Sequence, residues 1–153
     1  MGSEMCIRDR DKKKRVSLIA AIGLDKANPM SHQSLVVEGT VNKNAFLGYL
    51  EYVLLPNLAK GTVLVLDNWT IHHGDEVREL VQRFECELLY LPTYSPDLNP
   101  IEHLFAKVKS FIKKAKPATI QDLMQSFCDA VCEVTYKQIF NAIRHCGYHI
   151  ETV

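Results

Sequence analysis

Asp67 and Glu102 are the two residues whose type and setting could do chemistry. Asp67 follows the apolar run at residues 61–66 and opens the stretch D-N-W-T-I-H, whereas Glu102 closes the stretch Y-S-P-D-L-N-P-I-E at the expected start of a helix. Carboxylate oxygens are the ligands that Mg²⁺ and Mn²⁺ prefer. A fold that brings the two side chains together could hold such ions, and a pair of them can activate a nucleophile and neutralise a leaving oxygen in phosphodiester chemistry.

The neighbours of both carboxylates have more than one interpretation. His72 could contact a phosphate or orient a substrate, or it could make a structural hydrogen bond to the loop backbone. Asn68 is expected to orient Asp67 without contacting the ion. Asp97 and Asn99 favour a turn that sets the following helix, and Asp97 is a weaker alternative ligand.

Apolar runs and helical periodicity predict the elements that must position these residues. Short apolar runs typical of buried strands occupy residues 15–23, 34–41, 61–66 and 86–91. Apolar residues at three- and four-residue spacing predict amphipathic helices at 42–58, 75–85, 100–115, 119–134 and 136–146. Residues 25–33 predict a turn. Asp67 therefore leaves a buried strand, and Pro100 is suited to the first turn of the helix that carries Glu102.

Both motifs resemble the catalytic core of DDE transposases of the Tc/mariner and related bacterial insertion-sequence type. In that family the second Asp ends a strand before D-N-x-x-x-H and the closing Glu follows S-P-D-L-N-P-I, which places these roles on Asp67 and Glu102. The resemblance extends over about residues 16–115 and is strongest from residue 63 onward. It implies an α/β fold of the ribonuclease-H-like, or retroviral-integrase-like, type, with a mixed sheet flanked by helices.

The resemblance also implies an activity, a cofactor and partners. The activity is metal-dependent DNA strand cleavage and strand transfer in DNA transposition, with Asp67 and Glu102 as catalytic residues and metal ligands and His72 matching the family's histidine. A two-metal site for Mg²⁺ or Mn²⁺ is expected in the full-length protein. The expected partners are DNA, both transposon ends and target, and a second copy in a homodimer. A cytoplasmic location is expected, associated with the nucleoid in a prokaryote and away from membranes.

Residues 1–10 stand apart from the rest of the sequence. They have no hydrophobic period, and codons that could encode Met5 to Arg10 resemble an adaptor end used in transposon-based sequencing libraries. We therefore expect a non-native segment at 1–10, a partial DDE catalytic domain at 11–117, and a C-terminal helical extension of the same domain at 118–153. The predicted strands and helices then begin with the equivalent of the family's second strand. The family's first strand, which is central in the sheet and carries the first catalytic Asp, is expected to be missing.

A missing central strand leads to further expectations and to an alternative function. Two inner strands would lack a partner along one side, and the isolated chain would be poorly soluble. The parent protein would be an enzyme, but this fragment would lack one catalytic carboxylate. The alternative is therefore a catalytically inactive transposase fragment with a residual DNA-binding or interaction role. A structure-directed nuclease of the same fold, such as a resolvase, is a third interpretation.

Composition and charge set broad limits on fold and partners. With 153 residues and 47% hydrophobic content, the chain can bury one sizeable core. No stretch approaches the roughly 20 apolar residues of a membrane span. The net charge of +0 does not by itself indicate nucleic-acid binding. However, Lys107, Lys109 and Lys113 form a basic stripe after Glu102 that predicts contacts with the DNA backbone, the other interpretation being a solvated helix face.

The number and spacing of the cysteines indicate that these residues pack in the core and form neither disulfides nor a zinc site. The five of them contain no C-x-x-C pair and leave one over, which argues against a disulfide framework and against a zinc finger. Cys128 and Cys132 are four residues apart and share one helix face. We interpret the cysteines as buried small hydrophobic residues.

Overall fold

A mixed five-stranded sheet is the centre of the fold in the part of the chain that the structure describes. The computed structural model describes residues 2–8, 15–24 and 32–149, and in 2–8 the side chain of Met5 alone. The sheet order is β3-β2-β1-β4-β5, for β1 (Gly2–Arg8), β2 (Arg15–Ile22), β3 (His32–Glu38), β4 (Val63–Leu66) and β5 (Glu87–Tyr90). β1, β2 and β3 form an antiparallel meander, whereas β4 is parallel to both β1 and β5.

Helices cover both faces of the sheet. They are α1 (Lys43–Tyr49), α2 (Asp75–Arg83), α3 (Ile101–Ala115), α4 (Ile120–Cys132) and α5 (Tyr136–His145). α1 continues through a π-helical turn (Leu50–Leu54) and a 3-10 turn (Leu55–Asn57). Threonines start the last two helices, because Thr119 and Thr135 each form a capping box that satisfies backbone N–H groups of the first turn.

The alternation of side chains along β2 divides the core into two clusters. Leu18, Ala20 and Ile22 pack with the apolar stripes of α3, α4 and α5. Ile19 and Ala21 point to the other face, where they pack with residues from α1 and α2. Because β2 is buried on both faces, its nearly continuous apolar sequence is the pattern expected of an interior strand.

The expectation that the first strand is missing is wrong. Gly2–Arg8 forms β1 in the central position between β2 and β4, and it pairs with β2 along its whole length, from Gly2↔Ala21 to Arg8↔Arg15. Pairing uses backbone groups that every residue except proline carries in full, and β1 and β2 are near neighbours in the chain, so the entropic cost of closing the hairpin is small. Met5 is 4% exposed and belongs to the α3 cluster, so residues 2–8 must be included in the fold.

β1 pairs with far fewer residues of β4 than of β2. The described pairing between β1 and β4 is the single pair Gly2↔Leu66, whereas β4 pairs with β5 at all four residues. The expectation of inner strands without a partner along one side therefore holds only for Val63–Val65, within the described residues. Poor solubility stays a prediction.

The other predicted elements are present at close to the expected bounds. Of the turn predicted at 25–33, residues 25–31 lie outside the described residues, while His32 and Gln33 belong to β3. Cys86 and Cys146 are buried as predicted, but the prediction is wrong for Cys128 and Cys132, which are exposed. They lie on the side of α4 opposite the buried stripe formed by Leu123, Phe127, Ala130 and Val131.

Candidate active site

Asp67 lies directly after β4, where an interior strand of the sheet ends. The carboxyl ends of strands are the usual place for chemistry in open α/β sheets. The side chain of Asp67 is 32% exposed, so it is partly accessible to solvent. Its Oδ1 accepts a hydrogen bond from the backbone N–H of Trp69 at 3.1 Å, an arrangement that fixes the turn after the strand.

A buried histidine holds the same carboxylate oxygen. His72 Nδ1 is 2.7 Å from Asp67 Oδ1 and 3.3 Å from the Asp67 carbonyl oxygen, and the residue is only 1% exposed. The imidazole packs against Phe46 with ring centroids 4.5 Å apart and contacts Trp69 edge-on at 5.5 Å. The Tyr90 hydroxyl donates to the His72 carbonyl oxygen at 2.6 Å. Asp67 is therefore positioned by side-chain and backbone contacts together.

Asn68 and His73 join the loop after β4 to the loop after β5. The Asn68 amide donates to Thr93 Oγ1 at 2.7 Å, and its oxygen contacts His73 Nε2. The His73 ring stacks on Tyr90 with centroids 4.2 Å apart. Burial raises the pKa of Tyr90, which keeps its hydroxyl protonated as a donor. The described contacts of Asn68 thus connect the two loops.

The loop between β5 and α3 prepares the start of the helix. A 3-10 turn at Pro96–Leu98 precedes Asn99, whose backbone carbonyl accepts the Glu102 N–H at 3.2 Å. Asn99 is 3% exposed, and its Oδ1 has no hydrogen-bond partner among the described residues. The sequence predicted a turn-forming role for Asn99, but it did not predict the burial of this residue. The run D-L-N-P comes directly before α3. The burial of Asn99 could have been expected only if this run was assumed to anchor the start of the helix.

Glu102 lies in the first turn of α3 and is exposed. The helix dipole favours a carboxylate at this end. α3 packs against β1 and β2, and Pro100 at its start lines a cavity together with Val63–Val65 of β4. Within the described residues no group of three or more His, Cys, Asp or Glu side chains is placed to hold a metal ion. The side chains of β1, the strand beside Asp67, lie outside that description apart from Met5.

The three lysines of the predicted basic stripe differ in their surroundings. Lys107 donates to the Glu133 carbonyl oxygen at 2.7 Å and to Gln138 Oε1 at 2.8 Å, so its ammonium connects α3 to the junction of α4 and α5. Lys109 and Lys113 are exposed. All three stay predicted DNA contacts, and Lys107 also connects helices within the fold.

Comparison with known proteins agrees with the sequence motifs. A family described as DDE superfamily endonuclease matches residues 2–124. The Tc1 transposase of Caenorhabditis elegans is 33% identical over 81 residues, which cover 53% of this chain and 30% of that transposase. The Tcb1 transposase of Caenorhabditis briggsae is 32% identical over 81 residues and is covered to the same 30%. The chain thus spans about a third of the length of the curated relatives it matches.

Solved structures confirm the predicted fold class. The Mos1 transposase catalytic domain, in a structure with raltegravir and Mg, superposes with a TM-score of 0.51 at 20% identity and covers 98% of this chain and 84% of that chain. The Mos1 transposase paired-end complex with the left transposon end gives a TM-score of 0.54 at 18% identity, over 98% of this chain and 55% of that chain. The likeness shows a ribonuclease-H-like fold. No helix in the described ranges is long and apolar enough to cross a membrane.

Proposed function

The chain belongs to the DDE superfamily of endonucleases, and from that premise we propose that it is the catalytic part of a transposase that cuts and transfers DNA strands. The observation that carries the proposal is the placement of two motif carboxylates. Asp67 leaves β4 at the carboxyl end of the sheet, and Glu102 lies in the first turn of α3, the helix that packs against β1 and β2. These two residues are proposed as catalytic residues and metal ligands.

The donor set fits a hard divalent cation. Both proposed ligands are carboxylates, and Mg²⁺ or Mn²⁺ prefers oxygen donors. When bound, two such ions supply a polarised nucleophile and neutralise charge on the leaving oxygen. His72 is proposed as a positioning residue, because its contact with Asp67 Oδ1 fixes the orientation of the carboxylate. Asn68 would not contact the ions. It would hold the loop after β4 in place through its hydrogen bond to Thr93.

DNA is the proposed partner. Lys109 and Lys113 are exposed on α3 beyond Glu102, where their charges can meet phosphates without reading sequence. Lys107 would contribute less, because its ammonium already donates to Glu133 and Gln138. By analogy with the Mos1 paired-end complex, the substrates are proposed to be transposon ends and target DNA, bound by a homodimer of the full-length protein. A location at the nucleoid of a prokaryote stays a prediction.

A plasmid assay tests the proposal. We expect the purified chain to nick supercoiled plasmid in the presence of Mn²⁺ or Mg²⁺ and to lose this activity in the isosteric variants Asp67→Asn and Glu102→Gln. Asp75→Asn is the matched control, because Asp75 is an exposed acidic residue in the first turn of α2, outside the site. Products joined to the plasmid indicate strand transfer, whereas cleavage alone indicates a nuclease such as a resolvase. Equal nicking by the Asp67 and Glu102 variants would refute the site.

The second candidate function is a catalytically inactive fragment that retains DNA binding or an interaction role. It is favoured by the sequence of β1, G-S-E-M-C-I-R, which contains no Asp. Because Gly2 pairs with Leu66, position 3 follows in register beside Asp67, and neighbouring strands are about 4.8 Å apart. If the unchanged chain shows no nicking, Ser3→Asp is expected to create metal-dependent nicking that also requires Asp67. Metal-independent DNA binding with no nicking in either protein would favour the inactive fragment.

A further inference from the structure

Two histidines from different helices lie side by side near the start of α3. His103 lies in the first turn of α3 and His145 in the last turn of α5. Their ring centroids are 5.1 Å apart, and the ring planes meet at 88°. Both residues are exposed, so ions in solution can reach the ring nitrogens. The pair arises from tertiary packing, because the two residues are far apart in the chain.

Contacts around the pair hold the two helix ends together. The Tyr148 hydroxyl donates to the Leu98 carbonyl oxygen at 2.7 Å, which joins the chain after α5 to the turn before α3. Ile139 of α5 belongs to the same buried cluster as Leu104 of α3. The fold therefore places the two imidazoles next to each other through contacts that do not involve them. A ligand that binds both rings would not have to pay for bringing the helices together.

The separation of the rings suits a shared metal ion. A histidine nitrogen lies roughly 2.1 Å from a bound Zn²⁺ and the ring centre about 1 Å further away, so two ligands of one ion have ring centres roughly 4.5–5 Å apart. The observed separation of 5.1 Å is close to this value. Because both residues are exposed, their rings can turn about the side-chain bonds to aim a nitrogen at the same ion. The alternative is an edge-on contact between two aromatic rings with no ion.

The chemistry of imidazole decides which ions such a pair would take. Imidazole nitrogens suit Zn²⁺, Ni²⁺ and Cu²⁺, whereas carboxylate and water oxygens suit Mg²⁺ and Mn²⁺. The histidine pair and its neighbour Glu102 therefore favour different ions. Resident zinc centres use three or four protein ligands, and the described residues place no such group together. Water must then complete the coordination, which makes the ion exchangeable.

We propose that His103 and His145 form a two-ligand site for a transition-metal ion such as Ni²⁺ or Zn²⁺, which would clip the end of α5 to the start of α3. His145 lies beyond residues 2–124, which the DDE family matches, so the pair is not part of the matched region. The inference does not rest on the proposed function, because binding requires neither DNA nor Asp67.

Titration of the untagged chain with Ni²⁺ tests the proposal. We expect a single Ni²⁺ ion to bind per chain in isothermal titration calorimetry. The melting temperature is expected to rise by about 5–10 °C when free Ni²⁺ exceeds its dissociation constant about 100-fold. His103→Gln and His145→Gln are each expected to weaken binding at least about tenfold, since the second ligand otherwise binds within the same molecule. Excess Mg²⁺ is not expected to compete.

Matched variants and NMR locate the ion. His149→Gln removes another exposed histidine and is expected to bind Ni²⁺ as the unchanged chain does. The same result is expected when Cys128→Ser and Cys132→Ser together remove the exposed thiols of α4, which are competing ligands. Paramagnetic Ni²⁺ should broaden the ring signals of His103 and His145 before those of the other histidines.

Three results would overturn the proposal. The first is Ni²⁺ binding that survives in both His103→Gln and His145→Gln. The second is binding that is lost in His149→Gln or in the double cysteine variant, because the ion would then have other ligands. The third is no Ni²⁺ binding by the unchanged chain, which would show that the ring pair is an aromatic contact only.

Discussion

The two halves of the candidate site are held in different ways. In the strand half, formed by Asp67, His72 and Tyr90, burial and hydrogen bonds fix the side chains, and His72 is 1% exposed. In the helix half, formed by α3, Glu102 is exposed and gains its position from the apolar stripe on the opposite side of the helix. A site of this kind is preorganised on the strand side, whereas its helix side depends on the packing of α3 against the sheet.

The largest expected effect on stability is in the strand half. His72→Phe keeps a ring against Phe46 and Trp69 but removes the donor to Asp67 Oδ1, which leaves a partly buried carboxylate with fewer partners. We expect the free energy of unfolding to fall by about 1–3 kcal/mol and nicking activity to fall by about 10–100-fold. Urea unfolding and the plasmid assay measure the two effects.

His73→Phe is the matched control for that change. It preserves a ring stacked on Tyr90 and loses only the contact with Asn68. We expect a loss of stability below about 0.5 kcal/mol, as is usual away from buried networks. If the two histidine variants behaved alike, the strand half would not be held by His72 in the way described.

A pair of lysines on α3 gives the next largest effect and sharpens the contrast inside the helix half. Lys107→Met removes a donor from the Glu133 carbonyl and from Gln138, which also accepts the Thr135 N–H in the α5 capping box. We expect a loss of about 1 kcal/mol for Lys107→Met and less than about 0.5 kcal/mol for Lys109→Met. Thermal unfolding distinguishes them.

For DNA binding we expect the opposite order, with the larger effect at Lys109 and the smaller effect at Lys107. Lys109→Met should reduce the slope of log affinity against log salt by about 1, because one phosphate contact is lost. Lys107→Met should leave that slope nearly unchanged if its ammonium remains with Glu133 and Gln138. A larger change of slope for Lys107→Met would mean that, in the unchanged chain, the Lys107 ammonium leaves the α4–α5 junction to bind DNA.

The helix half was the easier part to predict from sequence. α3 has an unbroken apolar period, Pro100 before it and a basic exit, and each signal is local, so the bounds and the exposed position of Glu102 follow directly. The partner of Lys107 could not be predicted, because it depends on how α4 and α5 fold back. The exposure of Cys128 and Cys132 was also missed, since a cysteine favours burial only when its helix face meets a neighbour.

The strand half required information that sequence patterns do not carry. The run V-L-V-L before Asp67 predicted β4, but the Asp67 to His72 contact arises from a 3-10 turn at Thr70–His72 whose geometry no motif length specifies. β1 was excluded because it lacks a hydrophobic period. A central strand that pairs along its length with β2 is recruited by backbone hydrogen bonds, and these are open to any sequence without proline.

A smaller effect on stability is expected for Glu102 itself. Glu102→Gln keeps the shape of the side chain and loses only an exposed charge near the N-terminus of α3, so the change in the free energy of unfolding should be below about 0.5 kcal/mol. Its plasmid nicking is nevertheless expected to disappear. At Glu102, activity should therefore be lost while the stability measured by urea unfolding is nearly unchanged. At His72, both activity and stability should fall. A loss above about 1 kcal/mol at Glu102 would show that the helix half is also held by its polar residues.

The smallest expected effect concerns pH and lies at the start of β3. Burial lowers the pKa of His32 below 6.5, so between the folded and unfolded values the unfolded chain binds a proton that the folded chain excludes. Stability is then complete above about pH 6.5 and falls as the pH drops through that window. His32→Gln should reduce the fall in melting temperature between pH 7 and pH 5 by about 1–2 °C. His103→Gln, at an exposed position of α3, is the matched control and is expected to leave the profile closer to that of the unchanged chain. An equal change from both variants would show that the pH dependence does not come from the burial of His32.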